Sequence, residues 1–563
     1  MLRIQTVLAL STQEAIGKAQ RAGDLAQLSI PDVVIERPKS ADWGDYATAV
    51  CLALARDARL APIEIARRVV QHFPAVDFVG SVSVAPPGFI NWTLDTGWLQ
   101  RQVDEVLQTG EHYADVDLGH GRRVQVEYGS ANPTGPLHMG FGRNVVLGDG
   151  IANVLAAAGY QVQREYYVND AGTQMGLFAQ TLYARYAQAL GEDVPVPDQG
   201  YMGQYMIDWG REIADQYGRQ FLGIPREEAV DRLKQIGLHE KVLTNVRADC
   251  LALGIHYHLW FHETTLYQQG QFEKVMSILK ENGLLVQREG ATWFAASHHD
   301  PALKDEVVVR SNGLPGYFAS DIAYHYNKLV ERGFDWVIDV WGADHQGHVP
   351  RMMAMMRGLG LDPARLTLVL YQLVTIKQGG EDIRLSKRAG TLVYLSELIR
   401  EVGADAVRFT LLSRAADSQM EFDVDLAKEQ SDRNPVYYVQ YAHARMASLL
   451  REAEERGFSG QDANVQLLVH PAEITLIRKM VELGEVIEKA AVNLAPHHLT
   501  YYAQELATIF TLFYRDCRVL PRKTGETGAS AQETAARLQL VRAAQVILAR
   551  TLRLMGMGTP ESM

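Results

Sequence analysis

VQVEYGSANPTGPLHMGFGRNVVLGDGIANVLAAAG, residues 124–159, reads as a buried strand, a tight loop and a long helix. Val124, Val126 and Tyr128 alternate as strand residues do, and Gly129, Asn132, Pro133, Gly135 and Pro136 then forbid regular structure for several residues. Beyond the turn, Val145, Val146, Ile151, Val154 and Leu155 recur at helical spacing, and Gly159 supplies a left-handed stop. His138, Gly140 and Gly142 therefore sit where a helix begins. A helix N-terminus presents unpaired N–H groups and about half a positive charge, which suits a phosphate. Gly140 would let a flat base or sugar lie against the backbone, so the stretch is a candidate nucleotide site.

HMGF alone is a weak signal, because such a tetrapeptide arises by chance in many long chains. Its weight comes from the strand before it, the Asn-Pro-x-Gly-Pro approach, and a second motif about 245 residues downstream, RLSKRAGT at 384–391. Together, PTGPLHMG and RLSKRAGT resemble the two signatures of class I aminoacyl-tRNA synthetases, usually written HIGH and KMSKS. The resemblance implies an α/β fold with a Rossmann-like parallel-sheet catalytic domain, and the spacing leaves room for an insertion that splits the sheet.

A chain of 563 residues predicts about three or four domains. With 47% hydrophobic and 22% charged residues it has the composition of a globular protein, and no window approaches the apolar length of a membrane helix. The short apolar run at Met1 to Leu10 lacks a convincing cleavage site, so a cytoplasmic location and no membrane association are expected. Cys51, Cys250 and Cys517 are too scattered for a zinc knuckle or a disulfide framework and read as core residues. His256, His258, His262, His298 and His299 lack partners at ligand spacing, so no protein-bound zinc or other metal is expected. A net charge of −12 argues against indiscriminate nucleic-acid binding, but a tRNA can still be met by basic residues gathered on one face.

Residues 1–115 read as a small α/β module, with helices at Ala47 to Leu60 and Pro62 to Phe73 and with Val82, Val84, Phe89, Ile90 and Trp92 in strands. From composition alone this is a stabilising domain without a ligand. Its WGDY at 43–46 and PPGFINW at 86–92 resemble the extra N-terminal domain of arginyl-tRNA synthetases, which touches the outer corner of the tRNA. Residues 116–400 carry the sheet. A second strand at Gln161 to Val168 ends in the polar turn NDAGTQ, a largely helical insertion fills about 176–290, and further strands are expected at Glu306 to Arg310, Trp336 to Trp341 and Leu366 to Ile376. The segment RSNGLPGYFASDIAYHYNKLVERGFDWVIDVWGADHQGH, 310–348, resembles arginyl-tRNA synthetases in particular and extends the resemblance from class to amino acid. From about 401 to 563 the chain reads as helical throughout, with helices at Asp405 to Leu412, Asn434 to Leu450, Pro471 to Ala491, His497 to Tyr514 and Gln532 to Met555, which predicts an all-α bundle. NPVYYVQYAHAR at 434–445 and the closing LRLMGMGTPESM resemble that family's anticodon-binding domain. Tyr437 and Tyr441, four apart on one helix face, are candidates to stack on anticodon bases, although by spacing alone such a pair is more often core.

Charging an amino acid requires its carboxylate to attack the α-phosphate of ATP and expel pyrophosphate, followed by transfer to a tRNA ribose hydroxyl. No covalent enzyme intermediate is needed, so the chemistry asks for positioned cations and helix-terminal donors. His138, Lys387 and Arg384 are the catalytic candidates. Gly140, Phe141, Arg143 and Ser386 join His138 and Lys387 around ATP, which brings magnesium with it, and Arg388, Ala389 and Gly390 complete a loop able to close over the triphosphate. Phe141 replaces the second histidine of HIGH, and losing one such donor can cost about 3 kcal/mol of transition-state stabilisation. Arg143 is a candidate replacement. Lys387 with Gly135 upstream of the first signature is the arrangement in which the ordinary loop lysine does the work.

A guanidinium favours carboxylates in planar paired geometry. The resemblance implies that Glu127, Tyr317 and Asp321 bind the arginine side chain, that Ser130 and Asn132 hold its backbone end, and that His345 stands where the family often has glutamine. Ordinary salt bridging is the competing explanation, and for Glu127 on a buried strand it requires a partner such as Arg164. Hydrogen-bonded discrimination of this kind makes an editing domain unnecessary. The sequence therefore predicts a monomeric enzyme acting on L-arginine, ATP and tRNA(Arg). Its rivals are a nucleotidyltransferase with the same HxGx turn, and a tRNA- or arginine-binding relative silenced by Phe141.

Overall fold

The computed structural model describes residues 3–383, 393–461, 463–521 and 530–563. Its centre is a parallel sheet of five strands, β1 (Arg123–Glu127), β2 (Gln161–Val168), β3 (Leu259–His262), β4 (Trp336–Gly342) and β5 (Leu366–Tyr371), in the spatial order β5-β4-β1-β2-β3. The chain runs outward from β1 through β2 to β3, then returns to lay β4 and β5 on the other side. The crevice beyond the carboxyl ends of β1 and β4 is thus the switch point where open α/β sheets bind ligands. In-register pairing sets Asp339 of β4, Glu127 of β1 and Glu165 of β2 side by side on one face.

Helix α1 (Met139–Ala157) follows β1 and is apolar nearly all round, because it is sandwiched between the sheet and the helices Ala404–Leu412 and Leu483–Val492. Its stop is the expected one, with Gly159 at φ +82°. Gly148 of this helix has no side chain for a packing reason, since a Cβ there would run into the Tyr128 ring.

Several expectations need correction. The segment Ala47 to Leu60 is split, because Tyr46–Thr48 pairs with Phe89–Leu94 and helix begins only at Val50. β3 lies inside the expected helical insertion: Thr173–Ala189, Gln204–Tyr217, Arg226–Ile236 and Leu243–Ala252 are helices, but the four residues LWFH then return to the sheet edge. Glu306–Val309 is a strand of a separate antiparallel sheet with Leu285–Arg288 and Ala291–Phe294, so the apolar run alone did not reveal its partner. Leu366 to Ile376 divides at Gln372 into β5 and a strand Val374–Gln378, whose partners are Glu381–Ile383 and Met420–Asp423. The last of these interrupts the segment expected to be wholly helical. The C-terminal helices are Pro435–Glu455, Pro471–Val481, Leu483–Val492, His497–Asp516 and Ala531–Leu554, so the helix expected over Pro471 to Ala491 breaks at Glu482. No helix among the described residues is long and apolar enough to cross a membrane.

Candidate active site

The first signature is built by the loop from β1 to α1. Gly129 takes φ +80°, and its N–H donates to Asn144 Oδ1 at 2.5 Å, while Asn144 Nδ2 donates to the Val340 carbonyl at 2.8 Å. One amide therefore pins the loop, the second turn of α1 and β4 together across the switch point. His138 caps α1, with Nδ1 accepting from the Gly140 N–H at 3.2 Å and its ring edge-on to Phe141 at 4.8 Å. Gly140 has a further reason to lack a side chain: a Cβ there would meet the His138 ring, so its absence makes room for the cap.

Leu137 to Met139 also pairs with the chain that follows residues 384–392. The Met139 N–H donates to the Val393 carbonyl (3.1 Å), the Leu395 N–H to the Leu137 carbonyl (2.9 Å), and His138 bridges Tyr394. Arg384, Ser386 and Lys387 lie outside the described residues, but the exit of their loop is fastened to the first signature.

Arg143 is not a free phosphate donor. It is 1% exposed, and its guanidinium donates to the carbonyls of Gln372 (2.6 Å), Ala415 (2.7 Å) and Ser418 (2.9 Å). Burial pushes it down to about 10. The expectation that it replaces the missing histidine is withdrawn, because the guanidinium is buried and committed to three backbone carbonyls.

Glu127 is buried but not unpaired. Its Oε1 accepts from Ser130 Oγ at 2.9 Å, and its Oε2 from Lys328 Nζ at 2.5 Å. The partner is thus Lys328, not Arg164, which turns instead to Asn153 and Asp149. Ser130 Oγ also accepts from the Tyr167 N–H, and exposed Asn132 meets Asn169 of the NDAGTQ turn at 3.3 Å.

Lys328 comes from the segment after helix α2 (Tyr317–Tyr326), where Asn327–Glu331 forms a π turn of the kind common at functional sites. Tyr317 opens α2 one turn before Asp321. Over the carboxylate row, Lys328 also donates to Asp339 Oδ1 (2.8 Å), His325 Nε2 meets Asp339 Oδ2 (2.7 Å), Tyr324 donates to Glu165 (2.6 Å), and Arg332 forms a salt bridge with Glu165. Burial works against the charge on Asp339, yet Lys328 and His325 outweigh it and hold this carboxyl well below its usual range. Glu127 has the Ser130 hydroxyl where Asp339 has His325, and burial, with Asp339 beside it, pushes it up despite Lys328. Asp321 is half-buried, its carboxylate makes no hydrogen bond or ion pair with another described side chain, and burial together with Glu263, Glu127 and Asp339 pushes it up to about 7 against the opposing His325. His345 is exposed on the turn that leaves β4.

Sequence reasoning reached Glu127 and Asp321 but missed Asp339, Glu165, Lys328 and His325. The available signal was a charge inside the apolar run Val337-Ile338-Asp339-Val340, which demands a buried counter-charge somewhere.

Three family models cover most of the chain: the arginyl tRNA synthetase N terminal domain at residues 7–94, the catalytic domain of class I (R) tRNA synthetases at 102–429, and the DALR anticodon binding domain at 439–563. The arginine–tRNA ligase of Dehalococcoides mccartyi is 49% identical over 563 residues, all of both chains, and that of Carboxydothermus hydrogenoformans 45% over 532 residues, 94% of each. The chain belongs to the arginyl-tRNA synthetase family. The arginyl-tRNA synthetases of Thermus thermophilus (TM-score 0.73, 24% identity, 99% of this chain and all of the other) and Plasmodium falciparum (0.76, 18%, all of both) share its fold. In this synthetase Tyr437 and Tyr441 are not core: their rings stack at 5.9 Å and 14°, Tyr441 is 40% exposed, and Arg445 lies over the rings of Tyr441 and Tyr514. Among the described residues no group of three or more His, Cys, Asp or Glu could hold a metal ion.

Proposed function

We propose that this chain attaches L-arginine to tRNA(Arg) through an arginyl-adenylate, using ATP and releasing AMP and diphosphate, at the crevice between β1 and β4. What supports the reading is the nearness of Glu127, at the end of the strand that leads into the His138 turn, to Asp321, whose carboxylate makes no hydrogen bond or ion pair with another described side chain. Two carboxylates at the closed end suit the planar, doubly donating face of a guanidinium. Tyr317 joins them in holding the side chain, Ser130 and Asn132 hold the backbone end of the amino acid, and His345 adds a further contact.

The substrate carboxylate then points toward α1, whose N-terminal N–H groups and His138 receive the phosphates. Gly140 and Phe141 flank the nucleotide, and Arg384, Ser386 and Lys387 close over the triphosphate, whose magnesium travels with ATP as part of the substrate. With Phe141 in place of a donor and Arg143 committed elsewhere, the backbone of α1 and the loop lysine carry the developing charge. Tyr437 and Tyr441 offer stacking faces to unpaired anticodon bases, and the N-terminal module meets the tRNA corner. The enzyme acts as a cytoplasmic monomer.

The test is charging of tRNA by the purified protein with ATP and each of the twenty amino acids in turn. Charging with arginine alone is expected. Charging with another amino acid overturns the substrate, and tRNA binding without any charging overturns the catalysis.

A further inference from the structure

Lys328 is wholly buried, and a buried ammonium is costly unless its surroundings need it. It lies 2.5 Å from Glu127 Oε2, 2.8 Å from Asp339 Oδ1 and 4.0 Å above the Tyr324 ring. Glu127 and Asp339 are register partners on adjacent parallel strands, so their carboxylates would repel at close range without a cation between them. The remaining charged neighbours leave no substitute. Glu165 on β2 is taken by Arg332 and Tyr324, His325 is spent on Asp339 and the Asp321 carbonyl, and Glu263 and Asp321 add further negative charge. Lys328 thus holds one oxygen of Glu127, Ser130 holds the other, and the plane of the carboxylate is fixed before any ligand arrives.

We propose that Lys328 is a positioning residue of the arginine pocket: its buried ammonium stands between the carboxylates of Glu127 and Asp339 and fixes the plane of Glu127, so that the guanidinium meets a pre-oriented acceptor beside Asp321. The inference rests on the reading that Glu127 holds the arginine side chain. It explains why a synthetase selecting a cation keeps a cation of its own beneath the pocket. Without Lys328, the burial and the Asp339 charge that push Glu127 up lose their main opponent, and a proton taken up by Glu127 costs the pocket one acceptor.

The experiment is pyrophosphate exchange in the presence of tRNA, from pH 6 to 8.5, on the full-length enzyme and its variants. Lys328→Met should raise KM for arginine about tenfold or more at pH 7, with the defect shrinking as pH rises, while KM for ATP and kcat at saturating arginine stay within about twofold. Lys328→Arg, which keeps the charge, should recover most of the arginine affinity. Should Lys328→Met fail to fold, the double variant Lys328→Met/Asp339→Asn removes one charge of each sign; the plane of Glu127 is still released, so KM for arginine should again rise about tenfold or more, but without the pH dependence that the Asp339 charge imposes. A wild-type KM for arginine with an unchanged pH profile, in whichever of these two variants folds, overturns the proposal. Glu127→Gln separates the two readings. If it leaves KM for arginine unaltered, the assignment of Glu127 is wrong; if it raises KM while loss of Lys328 does not, only the role of Lys328 is wrong.

Discussion

Asp321 concentrates the electrostatics of the crevice in one side chain. Burial and three neighbouring carboxylates bring it to about 7 from an ordinary 3.8. Below pH 7 an incoming guanidinium must displace a proton from Asp321, and above it finds a carboxylate waiting. KM for arginine should therefore fall by up to about tenfold per pH unit from pH 6 toward 7 and level off above it. A KM that stays flat from pH 6 to 8 would sink this assignment. The same shift acts on stability. The folded chain binds the Asp321 proton more tightly than the unfolded chain, so this residue is least destabilising below pH 3.8, and its cost grows as pH rises toward 7, to at most about 4 kcal/mol. Asp321→Asn should accordingly gain more stability toward urea at pH 8 than at pH 5, while losing the use of arginine. At this scale the sequence was half legible. Glu127 and Asp321 stand in recognisable motifs, whereas the Lys328 that neutralises Glu127 lies 201 residues away in the chain and shows no local pattern.

Helix α1 carries the first signature and fastens the described chain on either side of residues 384–392, and Arg143 is the device on one side of it. Gln372, whose carbonyl Arg143 binds, stands between β5 and the strand Val374–Gln378 that leads to residues 384–391; Ala415 and Ser418 precede the strand that pairs with it. The exit of the loop is fastened to Leu137–Met139 by backbone pairing. Both ends of the loop thus hang from the first two turns of α1. Arg143→Met should unfasten the entry, and because a misplacement of about 1 Å can cost about 10²-fold, exchange kcat should fall by about that factor with KM for arginine unchanged. Stability should also drop, since three half-buried carbonyls lose their donor. A variant with full kcat and a lower melting temperature would show the clamp to be structural alone. The long apolar elements, α1 and β4, were readable from periodicity. β3 was not, because four residues at a sheet edge are too few to display a period, and its aromatic side chains resemble those of a helix flank.

At the scale of the molecule, the modules are fastened by charges, partly or wholly buried, that no local window reveals. Arg37 and Tyr46 of the N-terminal module meet Glu485 of the C-terminal bundle, and Arg478 reaches back to Asp45. The bundle in turn offers the Tyr437–Tyr441 stack, and base stacking on such a platform is worth about 1–3 kcal/mol. Tyr441→Ala should weaken tRNA(Arg) binding about tenfold or more in a filter assay, with KM for arginine unaffected; unchanged tRNA affinity would return the pair to a packing role.

Arg408 is the most buried of these fastenings, wholly enclosed. It donates to the carbonyls of Met555 (2.6 Å) and Leu253 (2.8 Å) and pairs with Asp149 of α1, so a single guanidinium joins the end of the last helix, the end of the helix Leu243–Ala252 and the helix that carries the first signature. Gly556, at φ +70°, lies so close that a Cβ would collide with the guanidinium. Removing one partner of a buried pair leaves the other charge stranded, at about 3–5 kcal/mol. Arg408→Met should lower stability by that order, whereas Arg408→Met combined with Asp149→Asn should recover part of the loss, because the stranded carboxylate is gone. Gly556→Ala should be destabilising by the separate route of backbone strain and collision. Urea unfolding of the three variants decides the matter: if the double variant is no more stable than Arg408→Met, the stranded charge is not what the guanidinium prevents, and its carbonyl contacts carry the junction instead.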